Sequence, residues 1–291
     1  MAAVSRFVLV LLPLLVATAG CSVVLDPGES QCETTMDCTT RGFPGAVCTN
    51  HVCEKIVVPP DPVWGCLGSV VQPVPDTSKK VVLSVHLTFA ADKSPVANAM
   101  VDVCDKLDLD CTGKNPDSPK GLKSAADGLV SFSVVQGFDG FIRVASPEIV
   151  DSRIFVGRPI ITPPLVKEVR LLSSNDYQTL VSYAKETYDP TRGTSILLAT
   201  DCQGLSATGV RFESANVDAK SREFYLVNQL PTTPPTATHT DVDGFGGFFN
   251  MPVGQAVART FRASDGAKIG ESSFQVLAKT ISYVQIAPTP N

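Results

Sequence analysis

The cysteines of this 291-residue chain constrain its fold more than any other feature, because eight of the nine follow Cys21. Four of these lie close together, at Cys32, Cys38, Cys48 and Cys53, in a stretch with few aliphatic residues. A segment that short of core-forming side chains needs covalent cross-links in place of a core. We expect two disulfides among these four cysteines, and the sequence leaves all three pairings open.

The other four cysteines, Cys66, Cys104, Cys111 and Cys202, are spread over the rest of the chain. Cys104 and Cys111 are near enough for a local bridge, with an entropic contribution of roughly 2.5 kcal/mol. A bridge from Cys66 to Cys202 would close a long loop, for about 5 kcal/mol in the same model. We predict both pairs, and the second requires the start of one predicted domain to touch the other.

A zinc site is the alternative for the first group of cysteines. Cys48, His51 and Cys53 offer soft ligands close together. The spacing is irregular, however, no Cys-x-x-Cys pair occurs, and nine cysteines suit an oxidising compartment better than the cytosol. The sequence therefore predicts disulfides, with no metal and no cofactor.

Residues 1–20 have the three regions of a secretory signal: a positive charge at Arg6, an uncharged apolar run, and small residues before Cys21. The run is shorter than the ~20 residues of a membrane-spanning helix. Thr18-Ala19-Gly20-Cys21 resembles the lipobox of bacterial lipoproteins, although Thr18 stands where Leu is usual. The resemblance implies cleavage before Cys21 and lipid on its thiol. An ordinary cleaved signal and a retained anchor are the alternatives.

The residue after the cysteine is Ser22 rather than Asp. In Gram-negative lipoproteins this resembles the pattern of those sorted to the outer membrane. We therefore expect an exported protein at the bacterial outer membrane, with a membrane contact made by lipid on Cys21. Two or three acyl chains would make that attachment durable, because a single chain binds only marginally.

The composition is that of a mostly β protein. Val, Thr and Ser are abundant beside 21 Gly and 22 Pro, the mixture that short strands and tight turns require. The predicted organisation is a signal peptide at 1–20, a lipidated cysteine-rich segment at 21–54, a Pro-rich spacer and lead-in at 55–77, a β-sandwich domain at 78–173, a short linker helix at 174–191 and a second β-sandwich domain at 192–291.

The linker helix is predicted from apolar residues at helical spacing. Tyr177, Leu180, Val181 and Ala184 would share one face, with Ser174 as the N-cap. We expect this helix to pack against a domain and fix the angle between the two, with Asp189-Pro190 ending the segment.

The two predicted domains repeat one order of strands and turns. The strand–turn pattern of 83–89 and 127–132 returns at 195–199 and 243–249. With Thr240–Gly246 and Asn250–Gly254, this order is similar to carboxypeptidase regulatory-like domains, although the first domain lacks the Pro-x-Gly of the second. The resemblance implies tandem Ig-like or transthyretin-like β-sandwiches. Its motifs are turn chemistry and imply no active site.

Neither nucleic-acid binding nor catalysis is predicted. Charged residues make up 18% of the chain, the net charge is −5, and no long run of Lys or Arg occurs. The three histidines, His51, His86 and His239, fall in different modules, and no Gly-x-Ser-x-Gly or HExxH motif is present. We therefore predict no catalytic residue and a protein that is not an enzyme.

Three further features have competing interpretations. Two acidic groups could bind Ca²⁺, but Asp-x-Asp-Gly also suits a hairpin turn; the groups are Asp105, Asp108 and Asp110, and Asp241 and Asp243. Loop 231–240 is long enough either to bind a ligand or to be a passive tip. We expect Trp64, beside Cys66, to fill the core over a disulfide, and a ligand platform is the alternative.

The resulting hypothesis is a membrane-anchored surface lipoprotein with a structural, adhesion or ligand-binding role. Its partners would be the membrane, through Cys21, and a surface protein or glycan. The alternative is an accessory carbohydrate-binding subunit or an enzyme acting on extracellular polymers.

Overall fold

The computed structural model describes residues 30–55, 61–72, 74–113, 115, 117–162 and 167–290. They belong to two compact units, divided between Pro59 and Pro60. Cys21 and the predicted signal peptide lie outside the described residues, so the predictions about them stay predictions. Within the described part of the chain, no helix is long and apolar enough to cross a membrane.

The first unit is a short helix and a hairpin held by two disulfides. Its elements are α1 (Thr35–Thr40), β1 (Ala46–Thr49) and β2 (Val52–Lys55). Asn50 and His51 join the two strands, both with positive φ, as a two-residue turn of type I′ requires. Its buried cluster contains Cys32, Cys38 and Ala46, so the cross-links themselves form the core.

The second unit is made of short strands and one helix, and the prediction of a mostly β, sandwich-like fold is confirmed. The strands are β3 (Lys80–Phe89), β4 (Met100–Asp105), β5 (Leu122–Lys123), β6 (Leu129–Val135), β7 (Gly140–Ala145), β8 (Ser152–Phe155), β9 (Lys167–Leu171), β10 (Gly193–Ala199), β11 (Val210–Ser214), β12 (Arg222–Val227), β13 (Leu230–Thr232), β14 (Phe245–Met251), β15 (Gly254–Arg262), β16 (Lys268–Val276) and β17 (Ile281–Ile286). The helix is α2 (Ser174–Tyr183).

One nine-stranded sheet runs through the whole second unit, in the order β13-β12-β14-β10-β17-β8-β7-β4-β5. Two three-stranded sheets pack on it. The sheet β6-β3-β9 shares a buried cluster with β4, β7 and β8, and the sheet β11-β15-β16 shares one with β10, β14 and β17. The first and the second half of this unit thus each form a sandwich, and the nine-stranded sheet contributes a layer to both.

The two smaller sheets cover opposite faces of the long sheet. Successive side chains of a strand point to opposite faces. On β8, Ile154 belongs to the cluster under β6-β3-β9, whereas Phe155 belongs to the cluster over β11-β15-β16. On β10, Leu197 faces the second cluster and its neighbours Ile196 and Leu198 point the other way.

The sandwiches are joined where β8 and β17 pair in parallel, with Ser152 opposite Ile281 and Phe155 opposite Val284. The strand pairing repeats between the two sandwiches: the order β6-β3-β9 in the first corresponds to β14-β10-β17 in the second, and β4-β7-β8 corresponds to β11-β15-β16. The internal repeat read from the sequence therefore corresponds to a repeated topology.

Helix α2 is capped one residue earlier than predicted. The Ser173 hydroxyl, and not that of Ser174, accepts a hydrogen bond from the backbone N–H of Asp176. Tyr177 and Val181 are buried, and they cluster with Phe249 on the long sheet. The helix ends at Tyr183, before the predicted stop at Asp189-Pro190, because Lys185 adopts a positive φ.

The lead-in at 61–76 contacts both sandwiches. Asp61 forms an ion pair with Arg262 of the second sandwich, and Trp64 is 9% exposed in the cluster that contains the Cys104–Cys111 bridge. Farther along, the backbone N–H of Asp76 donates to the side chain of Gln136 in the first sandwich. The lead-in therefore straps the two halves together.

Candidate functional site

All eight described cysteines are paired, and the prediction of disulfide bonds is confirmed. The bridges are Cys32–Cys48, Cys38–Cys53, Cys66–Cys202 and Cys104–Cys111, with Cα–Cα distances of 5.7, 5.5, 5.7 and 5.2 Å. These distances lie within the usual range of about 4.4–6.8 Å.

The zinc ligands considered from the sequence are not free to bind a metal in this form. Cys48 and Cys53 each belong to a different disulfide, so neither offers a thiolate. The Nδ1 atom of His51 lies 3.2 Å from the carbonyl oxygen of Cys32. The histidine therefore contributes to the packing of the hairpin turn against the backbone at Cys32.

Three of the five aspartates that the sequence offers as Ca²⁺ ligands, Asp105, Asp108 and Asp241, brace loops. Asp105 accepts hydrogen bonds from the side chains of Asn115 and Ser118, and Asp108 accepts from two backbone N–H groups. Asp241 accepts from the backbone N–H of Val242 and Asn228, and these bonds hold the pKa of its carboxyl below the usual value. N–H donors aimed at these oxygens occupy the positions a cation would need.

Loop 231–240 is fixed at both ends rather than free. Pro231 is buried, and Thr240 is fully buried with its hydroxyl donating to the carbonyl of Ala207. His239 in this loop and His86 on β3 each lie within hydrogen-bond distance of a backbone carbonyl, of Thr240 and Asp127 respectively. Each histidine thus contacts a backbone carbonyl of its own sandwich.

The second unit has a groove that the sequence did not reveal, and we call it the β9 groove. It measures about 740 Å³ and lies on the face of the long sheet that β11-β15-β16 does not cover. Its floor is apolar and is formed by half-buried side chains of β10, β12, β14 and β17: Ile196, Leu198, Leu226, Phe245 and Tyr283.

Two different walls enclose the β9 groove. One wall is β9 itself, from Lys167 to Arg170. The other is formed by α2, through Asp176, Thr179 and Leu180, together with the β12–β13 turn. A pocket of several hundred Å³ with an apolar floor and a few polar groups at its rim is the usual form of a binding site.

Lys167, the first residue of β9, lines the groove, and its ammonium group is hydrogen-bonded to a neutral side chain. Its ammonium group donates a hydrogen bond to the side-chain oxygen of Gln285, at 2.6 Å. Burial lowers the pKa of Lys167 below its ordinary value, because the charged form is poorly solvated there. Within the described residues, no carboxylate lies within ion-pair distance of this ammonium.

One sequence signal could have located the groove. Strand β10 reads Ile196-Leu197-Leu198-Ala199 and is apolar on both faces, although a sandwich strand with one solvated face alternates apolar and polar residues. Leu197 and Ala199 belong to the core of the second sandwich, whereas the apolar side chains of Ile196 and Leu198 do not take part in that core. Such an excess of apolar side chains indicates either a second packed layer or a binding surface.

Several solved structures are similar to this chain at low identity, and most of them are pilins by name. The TIE protein of Bacillus anthracis is 13% identical over 72% of this chain and 34% of its own, with a TM-score of 0.23. A streptococcal ancillary pilin is 11% identical over 74% and 64%, with a TM-score of 0.24. The shaft pilin SpaA of Lactobacillus rhamnosus GG is 11% identical over 73% and 98%, with a TM-score of 0.22.

This chain therefore spans about a third of the length of the Bacillus anthracis protein. No family model matches the sequence, and no curated protein matches it.

Proposed function

We propose that this chain is an exported surface protein, anchored to the bacterial outer membrane by lipid on Cys21, with a structural or ligand-binding role and no catalysis. One observation carries the proposal: the eight cysteines after Cys21 pair with one another. Four disulfides suit an oxidising compartment. They also leave Cys21 without a partner among them, as lipid modification of its thiol requires.

The proposal includes tandem carboxypeptidase regulatory-like domains. The two Asp-Gly turns that carry that resemblance precede corresponding strands, Asp127-Gly128 before β6 and Asp243-Gly244 before β14. In both turns the glycine has a positive φ and the position a Cβ would take lies under 3.0 Å from a backbone oxygen, of Leu87 and Ala199 respectively. The same backbone requirement in both halves supports a repeated domain type.

The carbohydrate-binding alternative receives no support from the one tryptophan. Sugar-binding surfaces use exposed aromatic rings, and Trp64 is buried in the cluster that the sheet β11-β15-β16 shares with the long sheet. Purified protein screened against glycans and generic hydrolase substrates tests both alternatives. Turnover of any substrate would contradict the non-enzyme proposal.

The anchor is tested by replacing Cys21 with Ala and labelling cells with radioactive palmitate. We expect label and membrane attachment to be lost together. The matched control is the double variant Cys104→Ala/Cys111→Ala, which removes two other cysteines and should keep the label. Label on the Cys21→Ala protein, or its continued sedimentation with membranes, would show that the anchor lies elsewhere.

A further inference from the structure

One face of the long sheet is covered at both sides and open in the middle. The sheet β6-β3-β9 lies over β8, β7 and β4, and α2 lies over Phe224 and Phe249. Between these covers, the side chains of β17 and β10 form the floor of the β9 groove. Packed sheets stand about 10 Å apart. The β9 groove is therefore a gap in the layer that β6-β3-β9 and α2 form over the long sheet, and it does not lie between the two sheets of a sandwich.

The wall next to this gap is a free strand edge. Strand β9 pairs with β3 and with no other described strand. The backbone N–H of Ala90 donates to the carbonyl of Leu171, which places the odd-numbered residues of β9 toward β3. The backbone groups of Glu168 and Arg170 therefore point toward the groove, and a strand laid there would find hydrogen-bonding partners.

The charges around the gap restrict what could fill it. The side chains of Glu168 and Arg170 are exposed and form an ion pair at 3.1 Å, on the face of β9 opposite Val169. A strand added beside β9 would have one face over the apolar floor and the other beside this ion pair. At its end, Lys167 offers an ammonium group whose only described hydrogen bond is to the amide of Gln285.

We propose that the β9 groove receives an extended segment of a partner protein, which adds as a fourth strand to the sheet β6-β3-β9. The segment alternates apolar side chains, facing Ile196 and Leu198, with polar ones facing solvent, and carries a carboxylate that reaches Lys167. Strand addition of this kind takes its affinity from main-chain hydrogen bonds and its specificity from alternate side chains. The inference deepens the ligand-binding role proposed above and does not depend on the lipid anchor.

The test uses the full chain, purified in mild detergent, and a phage-displayed library of random peptides about nine residues long, within the usual strand length of roughly 3–10 residues. We expect enriched sequences to alternate apolar and polar residues, with Asp or Glu near one end. Leu198→Asp should weaken their binding roughly tenfold or more, because it places a charge in the apolar floor. Val253→Asp, at an exposed valine outside the groove, is the matched control and should leave binding unchanged.

A second measurement uses the wild-type protein, so it stands even if a variant fails to fold. Hydrogen exchange of the Glu168 and Arg170 amides should slow when an enriched peptide is added. Methylating alternate backbone nitrogens of the peptide in one register should abolish binding, because those N–H groups would face β9. Methylating the other set should not.

Other occupants give different results, and each would overturn the proposal. A lipid-like ligand is indicated if laurate displaces the peptides and the β9 amides stay unprotected. A second copy of the chain is indicated if concentrated protein dimerises and Leu198→Asp restores the monomer. Failure of the library to enrich alternating sequences, or equal binding of both methylated peptides, would also contradict strand addition. Palmitate labelling is independent of all these outcomes.

Discussion

Phe155 on β8 lies edge-on to Phe274 on β16, with 6.0 Å between the ring centroids. The two rings come from different sandwiches, and both belong to the buried cluster that holds the joint together. Because β8 and β17 share only a four-residue pairing, this aromatic contact is a main side-chain link between the halves.

Phe155→Ala is expected to lower the free energy of unfolding by roughly 3–5 kcal/mol, the usual effect of deleting a buried ring. Urea unfolding followed by the fluorescence of Trp64, which lies in the same cluster, measures it. Val242→Ala, at a side chain 70% exposed, is the control and should change stability by less than about 0.5 kcal/mol. An equally small effect of Phe155→Ala would mean that the joint does not depend on this core.

The long-range disulfide should matter more to stability than the local one. Cys66 and Cys202 are 136 residues apart, and Cys104 and Cys111 are 7 apart. In the loop-entropy model the first bridge contributes about 5 kcal/mol and the second roughly half of that. Double serine variants of each pair, compared by thermal unfolding, test the order. A larger loss for the local pair would contradict the prediction.

Glu223 should make the folded protein sensitive to pH. Burial raises the pKa of Glu223, against the lowering effects of the Tyr225 hydroxyl, which donates to it, and of Arg211. The folded state therefore binds this proton more tightly than the unfolded state. The resulting stabilisation of the folded protein is fully present below the ordinary pKa of 4.5, and it is lost as the pH rises through the pKa of Glu223 in the folded state.

Glu223→Gln mimics the protonated carboxyl and should remove this loss. We therefore compare the melting temperature of the variant with that of the wild type at each pH. The difference, variant minus wild type, should be larger at about pH 7 than at about pH 4. Exposed Glu168→Gln serves as the control for removing one negative charge. The same relative stability at both pH values would rule out Glu223 as the source.

The cap of α2 provides a local test. Ser173→Ala removes the acceptor for the Asp176 N–H and should cost about 1 kcal/mol. Ser182→Ala, in the last turn of the same helix, removes an exposed hydroxyl that donates to the carbonyl of Gln178 and should be close to neutral. Chemical denaturation of the two variants distinguishes them, and equal losses would contradict the assigned cap.

The sequence predicted the sandwich-like β fold because strands and turns leave local signals. Asp127-Gly128 and Asp243-Gly244 mark turns whose geometry requires glycine, and the alternation along β3 marks a strand with one buried face. The helix was found from the spacing of Tyr177 and Val181. Its cap was misplaced by one residue because Ser173 and Ser174 are adjacent, and only backbone geometry separates them.

The shared sheet and the β9 groove could not be predicted in the same way. Strands β8 and β17 pair through backbone hydrogen bonds, which almost every residue type can form. The side chains of Ser152–Phe155 therefore do not indicate which strand pairs with β8. The groove depends on that pairing, because it sets β9 beside β10 and β17. The groove is lined by residues of both sandwiches, so the sequence pattern of one sandwich alone does not predict it.

The Cys66–Cys202 bridge also determines how the second unit would respond to a mechanical pull. Strands β3 to β9 lie inside the covalent ring that the bridge closes. Tension applied ahead of Cys66 passes through the sulfur atoms to the loop after β10, so the covalent load path does not run along the backbone of the first sandwich. Reducing the bridge would add the 136-residue separation to the load path, or about 450–490 Å of extended chain. The backbone of the first sandwich thus stays outside the covalent load path for as long as the bridge is oxidised.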